Sequence, residues 1–161
     1  MGSPINQGKS KMLSQKARYA LRALNRLARQ RDDELVLIAD IAEEERIPRK
    51  FLEAILVDLR RHGLLDSKRG KAGGYRLARE PSKITIGEVV RVLDGPLAPL
   101  PCASVTAYHP CDDCLDVATC STRWVMRDVR DAISGVIDKR TLADLIGYQM
   151  AAGQLPLTYD I

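Results

Sequence analysis

Apolar residues recur every three or four positions between Ser14 and Gln30. Ala20, Leu21, Leu24, Leu27 and Ala28 share one side, which predicts an amphipathic helix with Ser14 as its N-cap. Lys16, Arg18, Arg22, Arg26 and Arg29 fall mostly elsewhere around it. Asp32-Asp33-Glu34 marks a turn, and Leu35–Leu37 reads as a very short strand. Ile38–Glu43 follows as a short helix with Ile38, Ile41 and Ala42 facing inward, and Glu44-Glu45-Arg46 turns the chain. Pro48 then opens a helix, where its missing N–H costs nothing. The buried stripe of that helix is Leu52, Ile55, Leu56 and Leu59; it runs to about His62, and Gly63 is placed to end it. Two helices across so short a turn form either a helix-turn-helix or an ordinary helical hairpin.

The next element separates these two. Leu64–Arg69 and Tyr75–Ala78 read as paired strands, joined by the Gly-rich basic tip Gly70-Lys71-Ala72-Gly73-Gly74. Helix, helix-turn-helix and hairpin in succession is the order of a winged helix. Arg49 and Lys50 then stand at the start of a recognition helix, and Lys68, Arg69, Lys71 and Arg76 lie on a wing able to approach phosphates. The glycines do not form a nucleotide loop, because the pattern G-x-x-x-x-G-K-[ST] is missing and no helix opens directly after them.

Thr85-Ile86-Gly87-Glu88 has the capping-box pattern and starts a helix through Val89, Val90, Val92 and Leu93, which Gly95-Pro96 stops. From about Ser121 a long helix resumes. Val125, Val129, Ala132, Ile133, Val136 and Ile137 line one stripe of it, too long for a small winged helix to cover. That stripe predicts a dimerisation helix. Thr141-Leu142-Ala143-Asp144 caps a last short turn of helix, and the tail from Gly147 carries no clear signal. The expected fold is therefore mostly α with a small β-hairpin wing, a winged helix-turn-helix followed by a long C-terminal dimerisation helix. Residues 1–11 read as an expression tag or disordered arm, 12–82 as the DNA-binding region, 83–147 as the cysteine loop and dimerisation helices, and 148–161 as a tail.

Composition changes this picture little. Hydrophobic residues make up 45% and charged residues 29% of 161, ordinary for a globular chain, and no apolar run reaches the length of a membrane span. The polar start carries no leader-like apolar segment, so a cytoplasmic protein with reduced thiols is expected. Net charge is only +4, but from Ser14 to Arg79 sixteen Lys and Arg stand against ten Asp and Glu, which suits a nucleic-acid surface. No catalytic triad, phosphate loop or paired acids are visible, and His62 and His109 are the two histidines. An enzyme is not expected.

The cysteines change it more. All four lie between Cys102 and Cys120, at spacing C-x8-C-x2-C-x5-C, in a segment broken by Pro96, Pro99, Pro101 and Pro110. Cys102, Cys111, Cys114 and Cys120 form a soft ligand set suited to zinc or an iron–sulfur cluster. Redox-active thiols or inert thiols fit the same spacing. Asp112, Asp113 and Asp116 lie among them and disfavour thiolates. Without a bound group the loop is expected to be mobile, disordered or partly disulfide-bonded, since nothing in it builds a core.

With these elements in order, the chain resembles the Rrf-two (Rrf2) family of bacterial transcriptional regulators. The likeness rests on Leu13-Ser14-Gln15-Lys16-Ala17-Arg18-Tyr19-Ala20, Ile38-Ala39-Asp40-Ile41-Ala42, Phe51-Leu52-Glu53, Arg69-Gly70-Lys71-Ala72-Gly73-Gly74-Tyr75, Ile86-Gly87-Glu88-Val89-Val90 and Thr141-Leu142-Ala143-Asp144-Leu145. It implies a homodimer, probing near-palindromic double-stranded operators as a repressor, with no membrane association. It also implies a 2Fe–2S cluster, or a 4Fe–4S cluster, held by three loop cysteines and a fourth residue, sensing iron or cluster status or redox and nitric oxide stress. The expected DNA contacts are Arg49, Lys50, Lys68, Arg69, Lys71 and Tyr75, and the expected dimer stripe is Val125, Val129, Ile133, Val136 and Ile137. Family members take the fourth ligand from a histidine three residues past the last cysteine, or from an aspartate near the start of the first helix. Those positions are Arg123 and Arg18 here. Cys111 is the natural replacement and His109 its neighbouring alternative; zinc on the same four sulfurs, or a thiol–disulfide switch, remains the alternative to a cluster.

Overall fold

A computed structural model describes residues 13–30 and 34–154. The readings of residues 1–11 as a tag or arm, and of the last residues of the tail, lie outside them. Helix α1 (Gln15–Ala28) begins where Ser14 accepts a bond from the Ala17 amide, 3.0 Å away. The amide and hydroxyl of Ser14 also bond the carboxylate of Asp94, so the cap is itself held from across the fold. Helix α2 (Ile38–Glu44) and helix α3 (Arg49–Arg61) follow. α3 ends as its sequence requires: Gly63 takes φ +70°, and the Leu64 amide bonds back to the Leu59 carbonyl at 3.0 Å.

Strands β1 (Leu65–Lys68) and β2 (Gly74–Leu77) pair antiparallel, with Leu65 opposite Leu77 and Lys68 opposite Gly74. The short strand expected at Leu35–Leu37 is reduced to one bridge, Val36 to Tyr75. After a 3-10 turn at Pro81–Lys83, Thr85 caps helix α4 (Ile86–Asp94) by accepting from the Glu88 amide. A second 3-10 turn, Pro101–Ala103, opens the cysteine segment. Helix α5 (Ser121–Ile137) and helix α6 (Leu142–Gln154) complete the described chain.

α6 is the main departure from expectation. The capping box is present, since the Thr141 hydroxyl accepts from the Asp144 amide and Asp144 accepts from the Thr141 amide. The helix it starts, however, runs on to Gln154 rather than stopping after a short turn. Gly147, Tyr148, Gln149, Met150 and Ala151 are all exposed, so that part presents no buried stripe to read in the sequence.

The core lies where α1, α3, α4 and α6 meet. Ala20, Ala23, Leu24, Leu52, Ile55, Leu56, Leu59, Ile84, Val89 and Leu142 have no exposed surface there. α2 is joined by Ile41 and by ion pairs from Arg26 to Glu44 and from Arg22 and Arg29 to Glu45. The wing attaches through the Val36 bridge, where the chain passes close enough to Gly74 that a Cβ there would sit 2.6 Å from the Val36 carbonyl oxygen. Gly74 has φ +150°. Gly74→Ala should therefore cost roughly 1–3 kcal/mol of stability by strain and displacement of the wing. Urea titration measures it, and an unchanged midpoint would show that the wing does not seat on Val36.

Candidate functional site

Two regions carry the chemistry-bearing residues. The first is the basic face made by α3 and the wing. Arg49 is the first residue of α3, and its guanidinium lies 3.3 Å from Glu53 one turn on, an exposed pair of little energetic weight. Lys50 is exposed beside it. Lys68, Arg69 and Lys71 are exposed at the wing tip, held by a turn in which the Gly73 amide bonds the Gly70 carbonyl at 2.9 Å. Tyr75 is placed differently from these cations. It is half-buried against the core, and its backbone exchanges both bonds with Val36, so it anchors the wing to the body. An aromatic contact absent from the reading of DNA contacts lies alongside: Phe51, 43% exposed, meets Tyr19 edge-on at 5.7 Å between ring centres, and Arg22 stands over the same tyrosine.

The second region is a cleft of about 530 Å³ bordered by all four cysteines, with Leu100, Asp113, Leu115, Asp116, Thr119 and the first turn of α5. The expectation that nothing in this segment builds a core fails at its first cysteine. Cys102 is 3% exposed and Ala103 1%, while Cys111, Cys114 and Cys120 are half-buried. The Cys111 and Cys102 sulfurs are 3.7 Å apart. Cys120 is the N-cap of α5, its sulfur accepting from the Arg123 amide at 3.4 Å. Asp116 folds the approach to it, accepting from the Thr119 hydroxyl at 2.7 Å and the Ala118 amide at 2.9 Å; these bonds hold its carboxyl below the usual carboxylate range. The Cys111 thiol is pushed the other way. Its hydrogen bond with Cys102 raises it most, followed by desolvation and the negative charge of Cys102, Cys114 and Asp113. A cation at the cleft would reverse that bias.

Fit to a metal or cluster can be judged from this geometry. Two thiolates on one tetrahedral metal with bonds near 2.3 Å lie about 3.8 Å apart. Cys102 and Cys111 already have that separation, and Cys114 and Cys120 face the same cleft. As the loop stands, no three Cys, His, Asp or Glu side chains among the described residues converge closely enough to hold one ion. The donor set is right for a thiolate-bound group, and holding one asks Cys114 and Cys120 to draw in on the Cys102–Cys111 pair. His109 does not border the cleft; its ring bonds the Pro110 carbonyl. Arg123 does border it, and donates from Nε to the Cys102 carbonyl at 2.9 Å. Neither that bond nor the matching one from Arg130 to Ala103 was foreshadowed, because no spacing rule ties an arginine to a distant carbonyl.

α5 buries none of its residues. Val125, Val129 and Val136 are 43%, 38% and 61% exposed and Ile133 is half-buried, so most of the expected dimer stripe is uncovered in the protomer, whereas Ile137, also half-buried, packs against the core. Trp124, on another side of the same helix, is 67% exposed. Among the described residues no helix is long and apolar enough to cross a membrane.

Known proteins match this architecture. Residues 13–148 fit the family described as Rrf2, iron-dependent transcriptional regulator. A putative HTH-type transcriptional regulator, rrf2-like, of Rhodobacter capsulatus is 44% identical over 147 residues, covering 89% of this chain and 98% of that protein. The structure of CymR, the global cysteine regulator of B. subtilis, superposes with a TM-score of 0.69 at 34% identity, covering 84% of this chain and 96% of that one. T. potens IscR superposes equally well, TM-score 0.69 at 31% identity, over 91% of this chain and 93% of that one. With its helix-turn-helix, its hairpin wing and this family fit over nearly all the described residues, the chain belongs to the Rrf2 family of winged-helix transcriptional regulators.

Proposed function

We propose that this regulator is a homodimeric repressor whose affinity for near-palindromic operators is set by an iron–sulfur cluster, 2Fe–2S in the first instance and 4Fe–4S in the second, on Cys102, Cys111, Cys114 and Cys120. The observation that carries this is the placement of all four sulfurs around one cleft at the N-terminus of α5. A bound cluster supplies a redox-active, displaceable link among the four sulfurs. The chain supplies the rest. Cys102 offers a desolvated ligand, Cys111 already stands 3.7 Å from its sulfur, and Cys114 and Cys120 are half-open at the same cleft. Asp113 and Asp116 place negative charge at the rim, which weakens retention of an anionic group and favours release as a signal. In the dimer, two α3 helices would enter successive major grooves about 34–36 Å apart, with Arg49 and Lys50 at the base edges and Lys68, Arg69 and Lys71 on phosphates. A shift of α5 matters because it selects between dimer geometries of different operator affinity. A second reading, structural zinc or a thiol–disulfide switch on the same sulfurs, is supported by the Cys102–Cys111 pair: 3.7 Å is the spacing of two ligands on one tetrahedral metal, and the same two sulfurs would have to close to about 2.05 Å for a disulfide.

Serine substitution at each cysteine, followed by anaerobic reconstitution, should abolish the visible cluster absorption in all four variants. A Cys111→Ser chain with normal bands would move the fourth ligand elsewhere, and colourless wild-type protein holding one zinc per chain would establish the second reading. For the DNA face, Arg69→Ala or Lys71→Ala should weaken binding to all sequences and lower the salt slope by about 0.9 per lost phosphate contact. Arg49→Ala should instead change base preference, at about 1–3 kcal/mol for the affected position. Intact operator binding in all these variants would remove the winged-helix assignment of this surface. Val129→Asp with Ile133→Asp should give monomers in sedimentation, since the uncovered stripe is the patch that association would bury. Wild-type protein that is monomeric at micromolar concentration would overturn the dimer.

A further inference from the structure

No residue of α5 is fully buried; Ile137 packs against the core at its C-terminal end, and polar ties made largely by arginines run along the rest of it. At its C-terminal end Arg91 of α4 donates to Asp138 at 2.5 and 2.9 Å and to the Ser134 hydroxyl at 3.4 Å. Gly87 leaves the space for that pair, for a Cβ there would collide with the Asp138 carboxylate. At the other end Arg123 donates to the carbonyl of Cys102 at 2.9 Å, with its guanidinium 5.9 Å from the centre of the Tyr108 ring. Two helical turns further on, Arg130 donates to the carbonyl of Ala103 at 2.5 Å. The Arg130 side chain is only 14% exposed. Two arginines on one side of α5 thus hold two consecutive carbonyls of the turn that carries the buried cysteine.

We propose that Arg123 and Arg130 are positioning residues, a clamp through which the state of the cysteine cleft moves α5. The proposal rests on the reading that loading of the cleft sets operator affinity, and names the side chains that carry the effect. The Cys102 carbonyl and the Cys102 sulfur belong to one residue. Engaging the sulfur turns the peptide plane whose oxygen Arg123 holds, and the next peptide plane is the one Arg130 holds. Such bonds weaken steeply with misalignment, so a modest rotation releases or tightens both. The planar guanidinium makes the tie directional in a way an ammonium does not. Arg123 cannot itself ligate, but it grips the backbone of a cysteine that can.

The test uses the full chain, iron-reconstituted and metal-free, against an operator obtained by selection from random duplexes. Wild-type affinity should differ about 5–150-fold between the two states. In Arg130→Gln, which lies outside the cleft, the visible absorption should be unchanged while that ratio falls to about one; Arg130→Lys should keep an intermediate ratio. Amide exchange across Cys102–Ser104 should quicken in Arg130→Gln. A wild-type ratio in Arg130→Gln, or unaltered exchange in that turn, overturns the clamp. A wild-type protein whose affinity ignores loading sinks the switch itself and this coupling with it, whereas a switching wild type with an unaffected variant sinks the clamp alone.

Discussion

Three alanines on one side of α1, Ala17, Ala20 and Ala23, retain no exposed surface, and this small-residue seam sets how closely the other helices can approach. α3, α4 and α6 all pack against α1. Where a helix presents methyl groups rather than branched side chains, a partner's Leu or Ile can reach the backbone and fill the interior to native density. Leu24 and Leu27 close the same face from the next turns. The ion pair from Lys16 to Asp58, 2.7 Å long, then borders the α1–α3 contact at its rim. The recognition helix is oriented through that contact, so the alignment of Arg49 and Lys50 depends on residues that never reach the surface.

Much of this arrangement was legible from residue pattern because the signals were local. Ser14, Thr85 and Thr141 cap helices as their side chains dictate, and Gly63 ends α3 in the conformation that glycine permits. The wing followed from alternation and from the glycines at its tip. The second half of α6 did not, because a helix exposed around Tyr148 and Met150 carries no periodic buried face for a pattern to reveal. In the cysteine segment the spacing identified a ligand set but not its asymmetry. That asymmetry arises from Ala103 and Cys102 seating in a 3-10 turn, and from arginines twenty-one and twenty-seven residues away finding their carbonyls. Long-range side-chain to backbone bonds leave no periodic trace.

The asymmetry has chemical meaning whichever group the sulfurs hold. Cys102 is desolvated; the other three thiols are half-open to solvent. Reagents, protons and competing ligands reach the open side first, so loss of a bound group would begin at the loop and end at the buried sulfur. The Cys111 thiol, held above its ordinary value by Cys102, by desolvation and by its charged neighbours, favours its protonated form in the ligand-free chain. A cation bound there would displace that proton.

Between Arg91 and Arg123 the chain carries four aspartates, Asp94, Asp112, Asp113 and Asp116, and not one lysine or arginine. The α3 face and wing tip, by contrast, present Arg49, Lys50, Lys68, Arg69 and Lys71. Charge is therefore spread unevenly, with carboxylates at the cysteine cleft and cations on the α3 face and wing tip. Attraction of a polyanion to the wing cations would raise the rate of encounter, and added salt, by screening those charges, would lower it.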